Sequence, residues 1–335
     1  MATDTSIEWA DKTWSPLIGC DRVSPGCDGC YAITTAHIRT SHPNPKISTA
    51  FAGTTHRANG RIDWTGQINQ LEDRLTQPLA WKKPRKVFVN SQSDLFHKNV
   101  DIEFIAKVFA VMALTPRHTY QILTKRHARM RSLLTDRHFA VAVRTEMYAL
   151  DRDATLRQDE QWPLPNVHLG VSVENQQWAD IRIPALLDTP AAVRWISAEP
   201  LLGPIDLTDI DGMNVLNPSD TGHENGLGWI DGPSLNWVVA GGESGPKARP
   251  ANPDWFRTLR DQCLAADVPF LFKQWGEYAP TGYLVIGGTS KGALLVGEPV
   301  DDFGHRVEIA RVGKKAAGRE LDGRTWDQYP DNPGD

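Results

Sequence analysis

The sequence predicts an α/β fold, with a parallel sheet or barrel, and three observations carry that expectation. Short apolar runs recur along the chain, amphipathic helical stretches separate them, and nearly every run ends in polar, chemically capable residues. Strands that alternate with helices build parallel sheets. In a (β/α) barrel the carboxyl ends of the strands face one shared mouth, where chemistry occurs. A doubly wound open sheet lines a crevice with them instead. The barrel is the arrangement adopted here.

Taken in order, residues 5–18 alternate weakly around Ile7, Trp9, Trp14 and Ile18 and lead into a cysteine loop. A helix is expected from Tyr31. Residues 40–66 are rich in Pro, Gly, Thr and Asn and read as irregular, a functional or mobile insertion too long for a plain connection. The spacing of Ile68, Leu71, Leu75 and Leu79 predicts a helix over 67–81. Residues 86–90 form an apolar run ending in Ser91, Ser93, Asp94 and His97. A helix over 101–114 follows, with Asp101 as a cap and Phe104, Ile105, Val108, Val111 and Met112 as its buried stripe.

The next strand, 118–125, ends in Thr124 and Lys125 and precedes a helix from Ala128. Residues 136–163 read as an inserted charged helical segment. A strand over 166–175 ends in Ser172, Glu174 and Asn175, a helix covers 176–187, and a strand from Val193 ends at Glu199. Residues 206–234 are rich in Asp, Gly, Asn and Pro and read as a surface insertion. Residues 236–245 run as a strand into a glycine turn at Glu243. A helix over 254–266, in which Cys263 is a core residue, leads to a last strand ending at Lys273 and Gln274. The domain reading is therefore a barrel over 1–278 and a Gly-rich extension, partly basic and with a hairpin-like section, over 279–335.

Composition narrows the class. The 335 residues are 40% hydrophobic and 23% charged, as in an ordinary soluble globular protein. A net charge of −5 gives no general case for a polyanion partner. Four cysteines make no disulfide framework, so a reducing cytoplasm is the expected setting. The first residues lack the charged and apolar regions of a secretory leader, and no apolar run approaches the ~20 residues that span a bilayer.

Chemistry concentrates in residues 19–31, where Cys20, Cys27 and Cys30 are spaced C-x6-C-x2-C among Gly19, Pro25, Gly26 and Gly29. A glycine- and proline-punctuated loop that gathers thiolates wraps a metal or an iron–sulfur cluster. A closed zinc site needs four ligands, and His37 or His42 is available as the fourth. A [4Fe-4S] cluster on three cysteines leaves one iron open, which is what S-adenosylmethionine needs in order to chelate it. Both readings stand on the loop alone, as does a disulfide.

The loop, with Ile7-Glu8-Trp9 ahead of it, resembles the three-cysteine phage protein family of bacteriophages and bacteria, whose members look like radical S-adenosylmethionine enzymes. The resemblance continues through Phe88–His97, Gln121–Arg126, Leu169–Asn175, Glu199–Ile205, Gly241–Pro246, Phe272–Glu277 and Arg311–Lys315. It implies an incomplete (β/α)6-type, TIM-like barrel with the cluster loop after the first strand, distantly similar to the spore photoproduct lyase branch. The first gap of six residues departs from the usual three. The Gly-Gly-Glu expected after the second strand does not occur there; Gly241-Gly242-Glu243 lies late in the chain and does not inherit that role.

On this resemblance, Cys20, Cys27 and Cys30 ligate a [4Fe-4S] cluster, and S-adenosyl-L-methionine is the second cofactor. Ser91, Ser93 and Asp94 are candidates for its methionine part or ribose, against strand-end capping. Thr124 and Lys125 are candidates for its carboxylate or a substrate phosphate. Ser172, Glu174 and Asn175 are candidates for the ribose hydroxyls, against helix capping. Glu199, Glu243 and Lys273 are substrate candidates or partners of one another, and His97 reads as a supporting or capping residue. The implied electron donor is a flavodoxin or ferredoxin, and the implied substrate a nucleic acid or nucleotide. Basic stretches at 81–86, 125–129 and 311–315 either track a phosphate backbone or are solvated surface. The competing reading is a non-enzymatic, zinc-stabilised module that binds nucleic acid or protein.

Overall fold

Short, nearly continuous apolar runs become buried strands, and the stretches between them become the helices that cover those strands. The computed structural model describes residues 3–5, 7–152, 162–217, 232–284 and 292–331. Two units divide the chain: Met1–Val171 with Ala185–Arg194 and Asp331–Asp335, and Ser172–Pro184 with Trp195–Pro330.

In the first unit, β1 (Thr3–Asp4), β2 (Lys12–Trp14) and β3 (Leu17–Ile18) precede the cysteine loop. Beyond the loop come α1 (Tyr31–Thr40), α2 (Pro45–Phe51), β4 (Thr55–Ala58) and β5 (Arg61–Trp64). Then follow β6 (Asn69–Gln70), α3 (Glu72–Leu75), β7 (Lys86–Val89), α4 (Ile102–Ala113), β8 (Thr119–Thr124), α5 (His127–Leu134), α6 (Arg137–Leu150) and β9 (Val167–Ser172). The sheet order is β1-β2-β7-β8-β9. Strands β2, β7, β8 and β9 are parallel, and only β1 is antiparallel to its neighbour. The expected stripe of α4 is buried at Phe104, Ile105, Val108, Val111 and Met112. Asp101 starts that helix without a side-chain cap, because its carboxylate instead accepts from Gln70 Nε2 at 2.6 Å.

In the second unit, α7 (Gln176–Leu187) leads to β10 (Val193–Ala198), β11 (Trp237–Gly241), α8 (Pro253–Ala265) and β12 (Phe270–Gln274). Strands β10, β11 and β12 pair in parallel. Cys263 is fully buried on α8, as expected of a core residue. The chain closes with β13 (Tyr278–Leu284), β14 (Ala293–Val296), β15 (Arg306–Arg311), α9 (Lys314–Ala317), β16 (Glu320–Leu321) and β17 (Arg324–Thr325). Parallel strands with helical crossovers in each unit establish a mixed α/β fold, an architecture that a partial barrel uses.

Three stretches differ from expectation. Residues 40–66 are ordered, holding α2 and the β4–β5 hairpin: Asn44 caps α2 from Oδ1 to Lys46 N at 3.0 Å, and Pro45 opens it. Asn59-Gly60, both at positive φ (50° and 73°), makes the two-residue turn that joins the hairpin. The helix expected over 67–81 shrinks to α3 and a 3-10 turn at Gln77–Ala80, since Pro78 cannot continue an α-helix. The predicted insertion 206–234 buries Leu207, Ile210, Val215 and Leu216 in its described part; residues 218–231 lie outside the described residues. The inserted helical segment expected over 136–163 is α6, and 153–161 also lie outside.

The extension 279–331 is packed rather than loose. Strands β13, β15 and β14 form an antiparallel sheet, and Phe272 N donates to Trp326 O at 3.0 Å, joining the end of the chain to β12.

Among the side chains that hold the α1–β5 segment together, Phe51 is 1% exposed within a cluster of Ile18, Ala32, Ile33, Ala36, Ala50 and Trp64. Phe51→Ala is expected to destabilise the protein by about 3–5 kcal/mol, read as the shift in urea unfolding midpoint at constant slope. A loss under about 1 kcal/mol would mean this cluster does not contribute to the cooperative core.

Candidate functional site

The site begins with a backbone approach that only glycine permits. Gly19, at φ +108°, lies where an added Cβ would stand 2.1 Å from Gln67 O. Its amide donates to Gln92 O at 3.2 Å, and it bridges Ser93 in parallel sense, so Cys20 is delivered beside the segment that follows β7. Cys27 closes a short turn through its amide to Ser24 O at 2.8 Å. Cys30 is the N-terminal flanking residue of α1. Helix amides favour anionic sulfur there, and those of Ala32 and Ile33 lower its pKa against the larger effect of burial, which raises it.

The three thiols lie close enough to feel one another's charge: Cys20 responds to both Cys30 and Cys27. Burial pushes the Cys20 thiol up to about 12, opposed by the guanidinium of Arg126. Cys20 and Cys30 also pack against the apolar cluster under α1 and α2.

Two arginines hold the long gap between the first two cysteines. Arg22 donates through Nε to both Asp63 oxygens at 2.9 Å, and through Nη1 to Cys27 O at 2.8 Å and Asp28 Oδ1 at 3.3 Å. Arg126, at the end of β8, donates to the Asp21 carboxylate, to Asp21 O at 3.2 Å and to Asp94 Oδ2 at 2.9 Å. Burial works against its charge, but Asp94, Cys20 and Asp21 outweigh it and raise its pKa.

Asp94 accepts four hydrogen bonds, from Phe96 N at 3.0 Å, Thr124 Oγ1 at 2.7 Å, Lys125 N at 3.1 Å and Arg126. Thr124 Oγ1 in turn accepts from Arg126 N at 2.9 Å. Ser93 Oγ donates to Leu17 O at 2.9 Å, and Ser91 O accepts from the Tyr31 hydroxyl at 3.0 Å. His97 is fully buried; its Nδ1 accepts from Asn99 N at 3.1 Å, and its Nε2 stands 3.2 Å from Asp21 Oδ2. Burial, with Arg126 nearby, lowers its pKa and favours the neutral form.

The first unit therefore assembles Cys20, Cys27, Cys30, Ser91, Ser93, Asp94, Thr124 and Lys125 in one region. Sequence reasoning missed Asp21 and Arg126, the two residues that bind that region together. Position was the available signal, since Arg126 directly follows a Thr-Lys strand end.

Of the candidates in the second unit, Glu199 and Lys273 meet each other, and Glu174, Asn175 and Glu243 are held by residues outside the candidate set. Glu174 and Arg182 form an ion pair at 3.1 Å with both side chains at 0% exposure, and Arg182 stacks 4.2 Å over the Trp178 ring. Asn175 Oδ1 accepts from Trp178 N at 3.2 Å and caps α7. Glu199 meets Lys273 at 3.1 Å, and Gly241 makes room for it, since a Cβ there would stand 2.6 Å from Glu199 Oε1. Glu243 holds Arg249 at 2.7 Å.

The donor chemistry in the first unit fits an iron–sulfur cluster. Three soft thiols are gathered, one of them at a helix N-terminus. The histidines considered as a fourth zinc ligand each use Nδ1 within their own surroundings: His37 Nδ1 pairs with Thr55 Oγ1 at 3.2 Å, and His42 Nδ1 accepts from Asn44 N at 3.0 Å. Among the described residues no group of three or more His, Cys, Asp or Glu is arranged to hold a single metal ion. A cluster asks for a wider spacing, because each thiolate binds its own iron.

The chain belongs to the family described as protein of unknown function (DUF5131), which it matches over residues 4–330. No curated protein and no solved structure matches it. No helix among the described residues is long and apolar enough to cross a membrane.

Arg126→Leu leaves Asp94, with its side chain 7% exposed, without its cation. The expected loss is about 3 kcal/mol in chemical unfolding, accompanied by faster alkylation of Cys20 as the loop detaches. Unchanged alkylation would show that Arg126 does not anchor the loop.

Proposed function

We propose that the chain is a radical S-adenosylmethionine enzyme on a partial barrel of that type, in which Cys20, Cys27 and Cys30 hold a [4Fe-4S] cluster. The observation that carries this reading is the placement of Cys20 beside the segment after β7 and of Cys30 at the start of α1, both packed on one apolar cluster. Held by these three cysteines and reduced by an external one-electron donor, a cluster would supply the electron for cleavage of S-adenosylmethionine to the 5'-deoxyadenosyl radical, the species that would abstract hydrogen from a substrate.

The chain's own residues do the holding. Buried thiols favour their neutral form, so loading a cluster requires release of their protons. The nearby guanidinium of Arg126 and ammonium of Lys125 both favour the thiolates that remain, Arg126 at Cys20 and Lys125 at Cys30. Asp94 has its oxygens engaged by the protein and serves as the brace that orients Thr124, Lys125 and Arg126. Lys125 is the group suited to the carboxylate of S-adenosylmethionine. The Tyr31 hydroxyl ties α1 to the end of β7 at Ser91 and fixes Cys30 against that wall. A one-electron donor of the flavodoxin or ferredoxin kind is the partner such chemistry requires.

Anaerobic purification followed by iron and sulfide analysis tests the reading. About four irons per chain are expected, with an EPR signal after dithionite reduction that shifts when S-adenosylmethionine is added. Cys27→Ala should lose the iron while keeping the far-UV circular dichroism of the parent. Stoichiometric zinc without an EPR signal would replace the enzyme with a zinc-stabilised binding module.

A further inference from the structure

Charge is divided unevenly along the chain. Residues 1–171 carry 22 Lys and Arg against 17 Asp and Glu, a net of +5, whereas residues 172–335 carry 14 against 24, a net of −10. Cys20, Cys27 and Cys30 lie in the basic part. Such asymmetry in an acidic protein points to a polyanion at the basic end.

The asymmetry sharpens next to the thiols. Residues 29–62 contain no Asp or Glu in 34 positions, but include Arg39, Lys46, Arg57 and Arg61 together with His37, His42 and His56. This stretch is a folded piece: α1, α2, β4 and β5 close over Ala32, Ile33, Ala36, Ala50, Phe51 and Trp64, and Cys20 and Cys30 pack on the same cluster. Arg39, Lys46, His56, Arg57 and Arg61 are exposed. Among the described residues none of the four Lys and Arg side chains forms an ion pair with a carboxylate. The acids that flank the stretch, Asp28 and Asp63, share the one cation of Arg22, so this trio leaves a single negative charge against the four cations. The positive field of the module is therefore only partly cancelled locally.

Its other surface groups suit the same partner. Exposed Thr34, Ser41 and Asn59 lie among the cations and can donate to phosphate oxygens. Tyr31, 59% exposed and directly after Cys30, offers a ring face on which a base can stack. The cations are spread over two helices and an exposed hairpin, which suits an anion repeated along a strand better than a compact acidic protein.

We propose that residues 31–64 form a module that grips the phosphate backbone of a single-stranded nucleic acid and seats it beside the cysteines. This makes nucleic acid the substrate class of the enzyme proposed above and rests on that reading for what happens there. Binding by the module itself needs no cluster. A base outside a duplex stack is also the form that an active-site pocket can reach.

Fluorescence anisotropy of the purified full chain with a labelled single-stranded DNA tests this, the probe being about 20 nucleotides, longer than the ~4–16 that single-strand folds cover. Lys46→Gln/Arg57→Gln/Arg61→Gln removes three contacts worth about 0.7 of a counterion each. It should weaken binding about 50-fold at about 0.15 M salt and make the log–log salt slope shallower by about 2. Lys82→Gln/Lys83→Gln, placed ahead of β7 and so at the opposite ends of the strands, should bind as the parent does. Thermal unfolding confirms that each variant is folded. The inference is overturned if the parent does not bind, if the triple variant binds equally well, or if both variants weaken alike. It is overturned too if the module variant loses affinity only for an acidic redox carrier. Iron measured on the same samples separates the two claims: iron-loaded protein that ignores DNA removes the module and leaves the enzyme, and iron-free protein that binds DNA does the reverse.

Discussion

One guanidinium, that of Arg126, is the constraint on which the first unit's site depends. It leaves the end of β8, crosses to Asp94 beyond β7, and reaches Asp21 in the cysteine loop through both carboxylate and carbonyl. Ordering a loop residue costs about 1–2 kcal/mol of conformational entropy, so a gap of six residues between thiols is expensive to fix. Arg126 at its start and Arg22 at its end fix it with charge-assisted bonds, which are stronger than neutral ones. The departure from a shorter cysteine spacing is therefore accommodated by two anchors that a shorter loop would not need.

The same cation sets the local electrostatics. Burial alone makes the Cys20 thiol reluctant to ionise, and Arg126 is the largest opposing influence. Asp94 and Asp21 share Arg126, exposed Lys98 stands 3.8 Å from Asp21, and neutral His97 places Nε2 3.2 Å from the same carboxylate. Two carboxylates on one cation would carry excess negative charge, and the amides of Phe96 and Lys125 and the Thr124 hydroxyl take up what remains on Asp94. The brace is satisfied internally, so its geometry persists whether or not the thiols are ionised.

Much of this fold was legible in the sequence because its periodicities are strong. The parallel strands and the helices α4, α7 and α8 fall where the apolar spacing places them, since each buries one stripe or one run. The β4–β5 hairpin was missed because composition was allowed to outweigh a local turn signal: Asn59-Gly60 specifies a tight turn whatever surrounds it. The helix expected over 67–81 failed for the opposite reason, with good apolar spacing overridden by Pro78. The thiols were legible from spacing alone. Arg126 was not, because an arginine's reach to partners 32 and 105 positions away is a tertiary fact that no local pattern encodes.

Polar residues at strand ends looked alike in the sequence, and their charge balance now separates them. In the second unit each candidate carboxylate has a cation of its own: Glu174 with Arg182, Glu199 with Lys273, Glu243 with Arg249. Pairs closed on themselves are a stable way to place charge at low exposure, and they contribute little net field. Around the cysteines the balance is different. Asp21 and Asp94 draw on Arg126 together, while Lys125 bears on Cys30 and the acid-free segment that starts there adds four cations without carboxylate partners. Positive potential is thus concentrated around the three thiols, an arrangement that would favour both the anionic centre and the anionic polymer proposed above.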